Sequence, residues 1–175
     1  MRAVLMLLCV SSVLAAQRDA RPRPPLDVKL DRFVGDWTMT GTVRGKPVEY
    51  RMDGRRTLQN MYVELHMLDV AKPPTYEARV FIGTDTTDRG YIAHWLDNFG
   101  ASFSIPHAEG AARGDTINLL FRYSNGDFRD TFVYTDSTDS WYLRMESASG
   151  TKWKLFGEFQ VKRRPPAAPT SLQAA

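Results

Sequence analysis

The stretch Gly35-Asp36-Trp37-Thr38-Met39-Thr40-Gly41-Thr42-Val43 sets Trp37, Met39, Gly41 and Val43 in alternation with Asp36, Thr38, Thr40 and Thr42. Side chains on a strand point to opposite faces in turn, so this period of two predicts a strand with one buried face. After Arg44-Gly45 the pattern resumes, with Val48, Tyr50 and Met52 alternating with Glu49, Arg51 and Asp53. Two such runs joined by a tight turn read as a hairpin.

The same period continues along most of the chain. Met61, Val63, Leu65 and Met67 form one apolar set, followed by Tyr76, Ala78, Val80 and Ile82, then Tyr91, Ala93 and Trp95. Later sets are Ile117, Leu119, Phe121 and Tyr123; Phe128, Phe132 and Tyr134; Trp141, Leu143 and Met145; and Trp153, Leu155, Gly157, Phe159 and Val161. Between them lie turn signals at Asp53-Gly54, Asp88-Arg89-Gly90, Asn98-Phe99-Gly100, Asn125-Gly126 and Ser149-Gly150. Asn-Gly and Asp-Gly accept the positive φ of tight hairpins. The spacing predicts an all-β domain of about ten short strands joined as a meander. No long helical segment interrupts it, which argues against a parallel α/β sheet. A meander with one apolar face removes its exposed edges by closing on itself, so a single antiparallel up-and-down β-barrel is expected. A two-sheet sandwich has the same periodicity and stays open as the alternative.

The flanks read differently. Met1-Arg2 precedes an apolar run from Ala3 to Val10 and small residues around Ser11, Ser12, Ala15 and Ala16. That is the make-up of a secretory signal peptide over residues 1–16, cleaved after Ala15 or Ala16, and it predicts a periplasmic or secreted protein. The run is shorter than a membrane span, so no integral span is expected. Leu7 and Leu8 before Cys9 are bulkier than a lipoprotein signal wants, and loss of Cys9 leaves a mature chain free of cysteine. Residues 17–25, rich in Pro and Arg, read as a linker and 165–175 as a disordered tail, which leaves 26–164 as the one domain. Within it Leu26, Leu30, Phe33 and Val34 suit a short helical turn with one buried face.

The 175 residues are 43% hydrophobic and 25% charged with a net charge of +3, ordinary for a soluble domain. Nucleic-acid binders gather Lys and Arg on one face, whereas here Arg18, Arg21 and Arg23, and Lys162, Arg163 and Arg164, flank proline-rich ends, so no nucleic-acid partner is expected. Three histidines are available as base or ligand. His66 shares a face with Glu64, but that face is the polar one; His107 follows Pro106 in a loop. Zinc needs three or four converging ligands, and the sequence offers no such set. Asp136-Ser137-Thr138-Asp139 lacks the alternation of a calcium loop and reads as a hairpin turn. Nucleophile and phosphate-binding motifs are absent, so no catalytic residue, metal or cofactor is assigned.

Gly35-Asp36-Trp37, with Phe33-Val34 before it, resembles the Gly-x-Trp signature of the lipocalin and fatty-acid-binding superfamily. A wider series, Arg56-Thr57-Leu58 before Tyr62-Val63-Glu64, Ile82-Gly83-Thr84-Asp85 and Trp95-Leu96-Asp97-Asn98-Phe99-Gly100, resembles an uncharacterised family of lipocalin-like (calycin-type) secreted bacterial proteins. The resemblance implies that Trp37 sits on a barrel floor, that residues 26–34 form a helical plug, and that a late basic residue packs over the indole. Lys162, Arg163 and Arg144 are the candidates. The Arg-x-Tyr pair of cytosolic fatty-acid binders is missing from Phe159-Gln160-Val161-Lys162-Arg163, so fatty acid is not implied. Haem is not implied either, because related haem-binding barrels use an inward histidine on a late strand and none follows His107.

The apolar face carries Trp37, Met39, Tyr50, Met52, Met67, Tyr91, Trp95, Phe121, Trp141 and Met145 in one phase. Aromatics supply large contact areas and methionines adapt to irregular shapes, so these ten are the candidate binding residues for a small hydrophobic ligand, in a barrel wide enough to leave some cavity. Non-catalytic carriage of that ligand is the expected function. The alternative is an enzyme using the lumen, with Tyr91, His94 or Asp97 near the mouth as acid or base. Oligomeric state is not legible.

Overall fold

In the computed structural model, residues 27–85 and 90–165 are described. The expected signal peptide, the linker, Leu26, the Asp88-Arg89 turn and the tail beyond Pro165 lie outside the described residues. The chain runs α1 (Val28–Asp31), β1 (Gly35–Val43), β2 (Lys46–Thr57), β3 (Tyr62–Asp69), β4 (Glu77–Thr84), β5 (Tyr91–Asp97), β6 (Ala108–Arg113), β7 (Thr116–Tyr123), β8 (Gly126–Thr135), β9 (Ser140–Ser149) and β10 (Lys152–Arg163). Each strand pairs antiparallel with its sequence neighbours, and β10 returns to pair with β1, closing the barrel. The closure register sets Trp37 opposite Arg163 and Met39 opposite Val161. A closed sheet has no free edge, so the sandwich alternative falls.

The predicted inward phase holds for most strands. Trp37, Met52, Leu65, Val80, Ala93, Leu119, Phe132, Leu143 and Val161 are each at most 2% exposed and belong to one core. The strands that meet beside α1 have their turns there; the opposite end carries the β1–β2 turn and the longer β3–β4 and β5–β6 connections. The first is the α1 end of the barrel and the second its loop end.

Three expectations are corrected. Asp53-Gly54 is not a turn but lies inside β2, and the reversal falls at Leu58, Gln59 and Asn60, all with positive φ. Gly54 is needed there for close approach, because a Cβ would overlap the carbonyl of Phe33. Trp153 does not share the inward phase of Phe159: the register slips between Leu155 and Gly157, so Leu155 is 46% exposed while Phe156 packs against the core. Trp153 instead carries the Arg129 guanidinium 4.2 Å from its ring centroid. Finally, β6, Ala108-Glu109-Gly110-Ala111-Ala112-Arg113, escaped the periodicity reading because its inward residues are Ala and Gly. Their size is dictated by crowding, since a Cβ on Gly110 would meet the Asn118 carbonyl and the Leu119 side chain.

Candidate functional site

The interior divides into two halves of different chemistry. At the α1 end the polar tips of Trp37, Trp141 and Tyr91 are tied to the segment around α1, and the Tyr134 hydroxyl donates to Asp139. The Trp37 indole donates to the Phe33 carbonyl at 2.8 Å, that of Trp141 to the Arg32 carbonyl at 3.3 Å, and the Tyr91 hydroxyl to Asp27 Oδ2 at 2.6 Å. Phe33 stacks on Trp141 with centroids 4.0 Å apart and planes within 3°. Leu30 and Phe33 are fully buried. Of the three basic residues considered for Trp37, Arg163 is the one over it, its guanidinium carbon 4.1 Å from the ring centroid. Asp139, in the β8–β9 turn, holds the same guanidinium by two hydrogen bonds.

Of the ten candidate binding residues, all except Trp95 are buried in the core and Trp95 is half-buried against it. Trp37, Tyr91 and Trp141 belong to the hydrogen-bonded α1 end, where their polar tips are already used. Met39, Met52 and Met67 fill the middle at 1% exposure each. The expected cavity is therefore filled by side chains through these levels. Tyr50, Trp95, Phe121 and Met145 lie toward the loop end.

There the aromatics meet each other and the loops. Tyr50 lies 5.2 Å from Tyr76 and 5.6 Å from Phe159 between ring centroids, and Tyr76 lies 5.7 Å from Phe99. The Trp95 indole donates to the Tyr76 hydroxyl at 3.1 Å, and the Tyr123 hydroxyl donates to the Phe103 carbonyl at 3.0 Å. The β5–β6 connection exposes Phe99, Phe103 and Ile105 at 66%, 59% and 79%. A cleft of about 270 Å³ opens beside it, between Glu77, Ala78 and Arg79 on β4 and Leu96, Asp97 and Asn98.

Asp130 is the residue that the sequence reading missed. It lies on the inward face of β8, opposite Leu119 of β7 and Met145 of β9, at 1% exposure. Neither carboxyl oxygen has a hydrogen-bond partner. Burial alone pushes its pKa up to about 8, because the charged form loses its hydration and gains nothing in return. The other buried acid, Glu146, is held between Arg129 at 2.7 Å and Arg144 at 3.1 Å. The signal for Asp130 stood in plain view: Phe128, Asp130, Phe132 and Tyr134 are one alternation, and the acid occupies an apolar step. Asp97, at the loop end of β5, is also raised by burial.

Of the three candidate acids or bases, Asp97 is the one at the loop end. Tyr91 and Asp97 point to the same face but are six residues apart on β5, about 20 Å at the strand rise, and Tyr91 is at the α1 end rather than the mouth. His94 is exposed on the outer face, its ring 5.8 Å from that of His107. His66 and Glu64 do not pair either: His66 bonds to Glu77 at 2.7 Å and Glu64 to Arg79. Among the described residues no group of three or more His, Cys, Asp or Glu gathers as a metal site, and no helix is long and apolar enough to cross a membrane.

Fold and interior together define a closed ten-strand up-and-down β-barrel, hydrogen-bonded across one end and aromatic and acidic toward the other. Compared with protein-family models and with curated proteins, the chain matches none.

Proposed function

We propose that the protein is a lipocalin-like, non-catalytic carrier or sensor of a small hydrophobic molecule, exported by residues 1–16 and working in the periplasm or the medium. The loop-end half of the barrel is the binding region, and the segment around α1, through Leu30 and Phe33, is the plug of the opposite end.

The observation that carries this reading is the asymmetry between the ends. Aromatic tips at the α1 end are satisfied by fixed hydrogen bonds, as a permanent closure requires. At the loop end Tyr50, Tyr76 and Trp95 lie beneath a connection that exposes Phe99, Phe103 and Ile105 together. Exposed apolar residues gathered at one place mark an interaction or binding surface more often than scattered ones. A ligand reaches the interior by displacing Phe99 from Tyr76, since Phe99 sits on the β5–β6 connection, outside the strand ladder. The enzymatic alternative rests on Asp97 alone, because Tyr91 is bonded to Asp27 at the α1 end and His94 is exposed on the outer face.

Two measurements test the proposal. N-terminal sequencing of exported protein is expected to begin at Ala16 or Gln17; a start at Met1 removes the export part. Titration of the mature chain with a neutral fluorescent probe such as N-phenyl-1-naphthylamine is expected to saturate at one site, and native mass spectrometry of protein from its own envelope to reveal a bound apolar molecule. A chain that binds neither probe nor native ligand is no carrier.

A further inference from the structure

Among the described residues, no base is paired with either of the acids half-buried or buried in the loop-end half, Asp97 and Asp130. The two carboxyls share this half with the phenols of Tyr50, Tyr76 and Tyr123, while Asp69, at the end of β3 and beside Tyr50, is held by the backbone N–H groups of Ala71 and Thr75. Burial first, and then the charges of both carboxylates, push the phenols of Tyr76 and Tyr123 up, so the two acids act on the same pair of rings. At the loop end Arg44 lies over the Phe156 ring, 5.1 Å from its centroid, and no charge offsets the burial of Asp130; at the other end Arg56 is engaged with Asp31 and the Asp27 carbonyl, and Arg163 with Asp139 and the Val34 carbonyl.

A carboxyl buried without a partner costs free energy that an apolar residue of similar size would not. Asp130 is flanked along β8 by Phe128 and Phe132, and across the sheet by Leu119 and Met145, so nothing in the packing asks for an acid. Its neighbours cannot neutralise it: Arg129 is directed to Glu146 and Trp153, and Arg144 to Glu146. Polar groups that break the local rule at a cost are found where a site is built.

We propose that Asp130 anchors the ligand and that the ligand is a hydrophobic amine, its ammonium group paired with the Asp130 carboxylate and its apolar body among Tyr50, Tyr76, Trp95 and Phe121. This rests on the binding reading above and narrows its substrate class. The chemistry is complementary in each part. An ammonium supplies donors to both unpartnered oxygens and the charge that offsets their desolvation, a charge-assisted contact stronger than a neutral one. The faces of Tyr50, Tyr76 and Trp95 attract a cation as well as apolar surface. A ligand carboxylate, as in a fatty acid, would meet Asp97 and Asp130 instead and be repelled.

The test is a matched series on the mature chain: 2-(1-naphthyl)ethylamine, 2-(1-naphthyl)ethanol and 1-naphthylacetate, titrated at about pH 8 by intrinsic fluorescence and calorimetry. The amine is expected to bind roughly tenfold or more tighter than the alcohol, and the acetate more weakly than either. Asp130→Asn, which keeps the shape and removes the charge, should abolish the preference for amine and leave alcohol affinity within about threefold. If none of the three probes binds, the carrier reading fails and takes this inference with it. If alcohol binds while the wild-type amine preference is less than about tenfold, or survives in Asp130→Asn, the carrier reading stands and the assignment of Asp130 is wrong. Should Asp130→Asn not fold, the wild-type ratio of amine to alcohol decides alone.

Discussion

The guanidinium of Arg163 lies over the indole of Trp37, 4.1 Å from its centroid, and the two residues are also paired neighbours where β10 closes on β1. One contact thus joins the first and last strands of the barrel. The indole N–H goes to the Phe33 carbonyl, and Arg163 itself donates to the Val34 carbonyl next to it.

Trp37→Ala is expected to destabilise the fold by about 3–5 kcal/mol, the usual cost of deleting a large buried aromatic. Arg163→Ala should cost about 1 kcal/mol, because a partly exposed cation over a ring contributes modestly. The double variant should lose less than the two separate losses combined, since each single change already removes the shared contact. Urea unfolding of the four proteins measures this; strict additivity would mean that Arg163 and Trp37 do not interact in solution.

Trp95→Ala separates binding from stability. The indole is half-buried and bonds only to Tyr76 within the mouth, so its loss should lower stability by about 1–2 kcal/mol, less than at Trp37. Affinity for N-phenyl-1-naphthylamine should fall by roughly tenfold or more. Equal probe binding by wild type and variant would remove Trp95 from the site.

Gly54→Ala tests the close approach beside α1. The added methyl would strike the Phe33 carbonyl, a backbone atom that cannot swing away, so a loss of about 2–3 kcal/mol is expected. Gly114→Ala is the control. Its Cβ would meet nothing within 4 Å and only its positive φ of 59° penalises it, for a loss of about 1 kcal/mol. Thermal unfolding ranks the two, and a milder effect at Gly54 than at Gly114 would contradict the approach.

Stability should fall as pH rises across the range in which Asp130 is protonated in the folded chain and ionised in the unfolded one. Its folded pKa is pushed up to about 8, above the ordinary unfolded value near about 3.9. Between these values the folded state binds more protons, so the contribution is complete below the unfolded pKa and is lost as pH climbs through the folded one. The slope from this group alone is at most about 1.4 kcal/mol per pH unit. Tyr76, Tyr123 and Asp97 face the same region, and Asp97, also raised, adds in the same direction. Asp130→Asn should flatten the profile and be more stable than wild type at about pH 8. Urea unfolding at several pH values decides; a variant with an unchanged slope would place the proton elsewhere.

The all-β class, the meander and the inward phase of most strands were legible from the sequence, because alternation of side chains across a strand is a local property. Trp37, Tyr50, Leu65, Phe132 and Leu143 could be set on one face without knowing which strand lay beside which. What the period does not encode is closure: the pairing of Trp37 with Arg163 joins residues at opposite ends of the domain, and one sheet or two have the same alternation. The slip between Leu155 and Gly157 reversed the facing of Trp153 for the same reason, since one extra residue is invisible until a partner strand counts against it. β6 was hidden because crowding against β7 had reduced its inward side chains to Ala and Gly. The ten candidate binding residues were one set in the sequence and became two in space, as Trp37, Tyr91 and Trp141 spent their polar tips on the segment around α1. Asp130 was readable as an acid at an apolar step, but only tertiary structure decided that no base reaches it, because a side chain's partners come from strands far away in the chain.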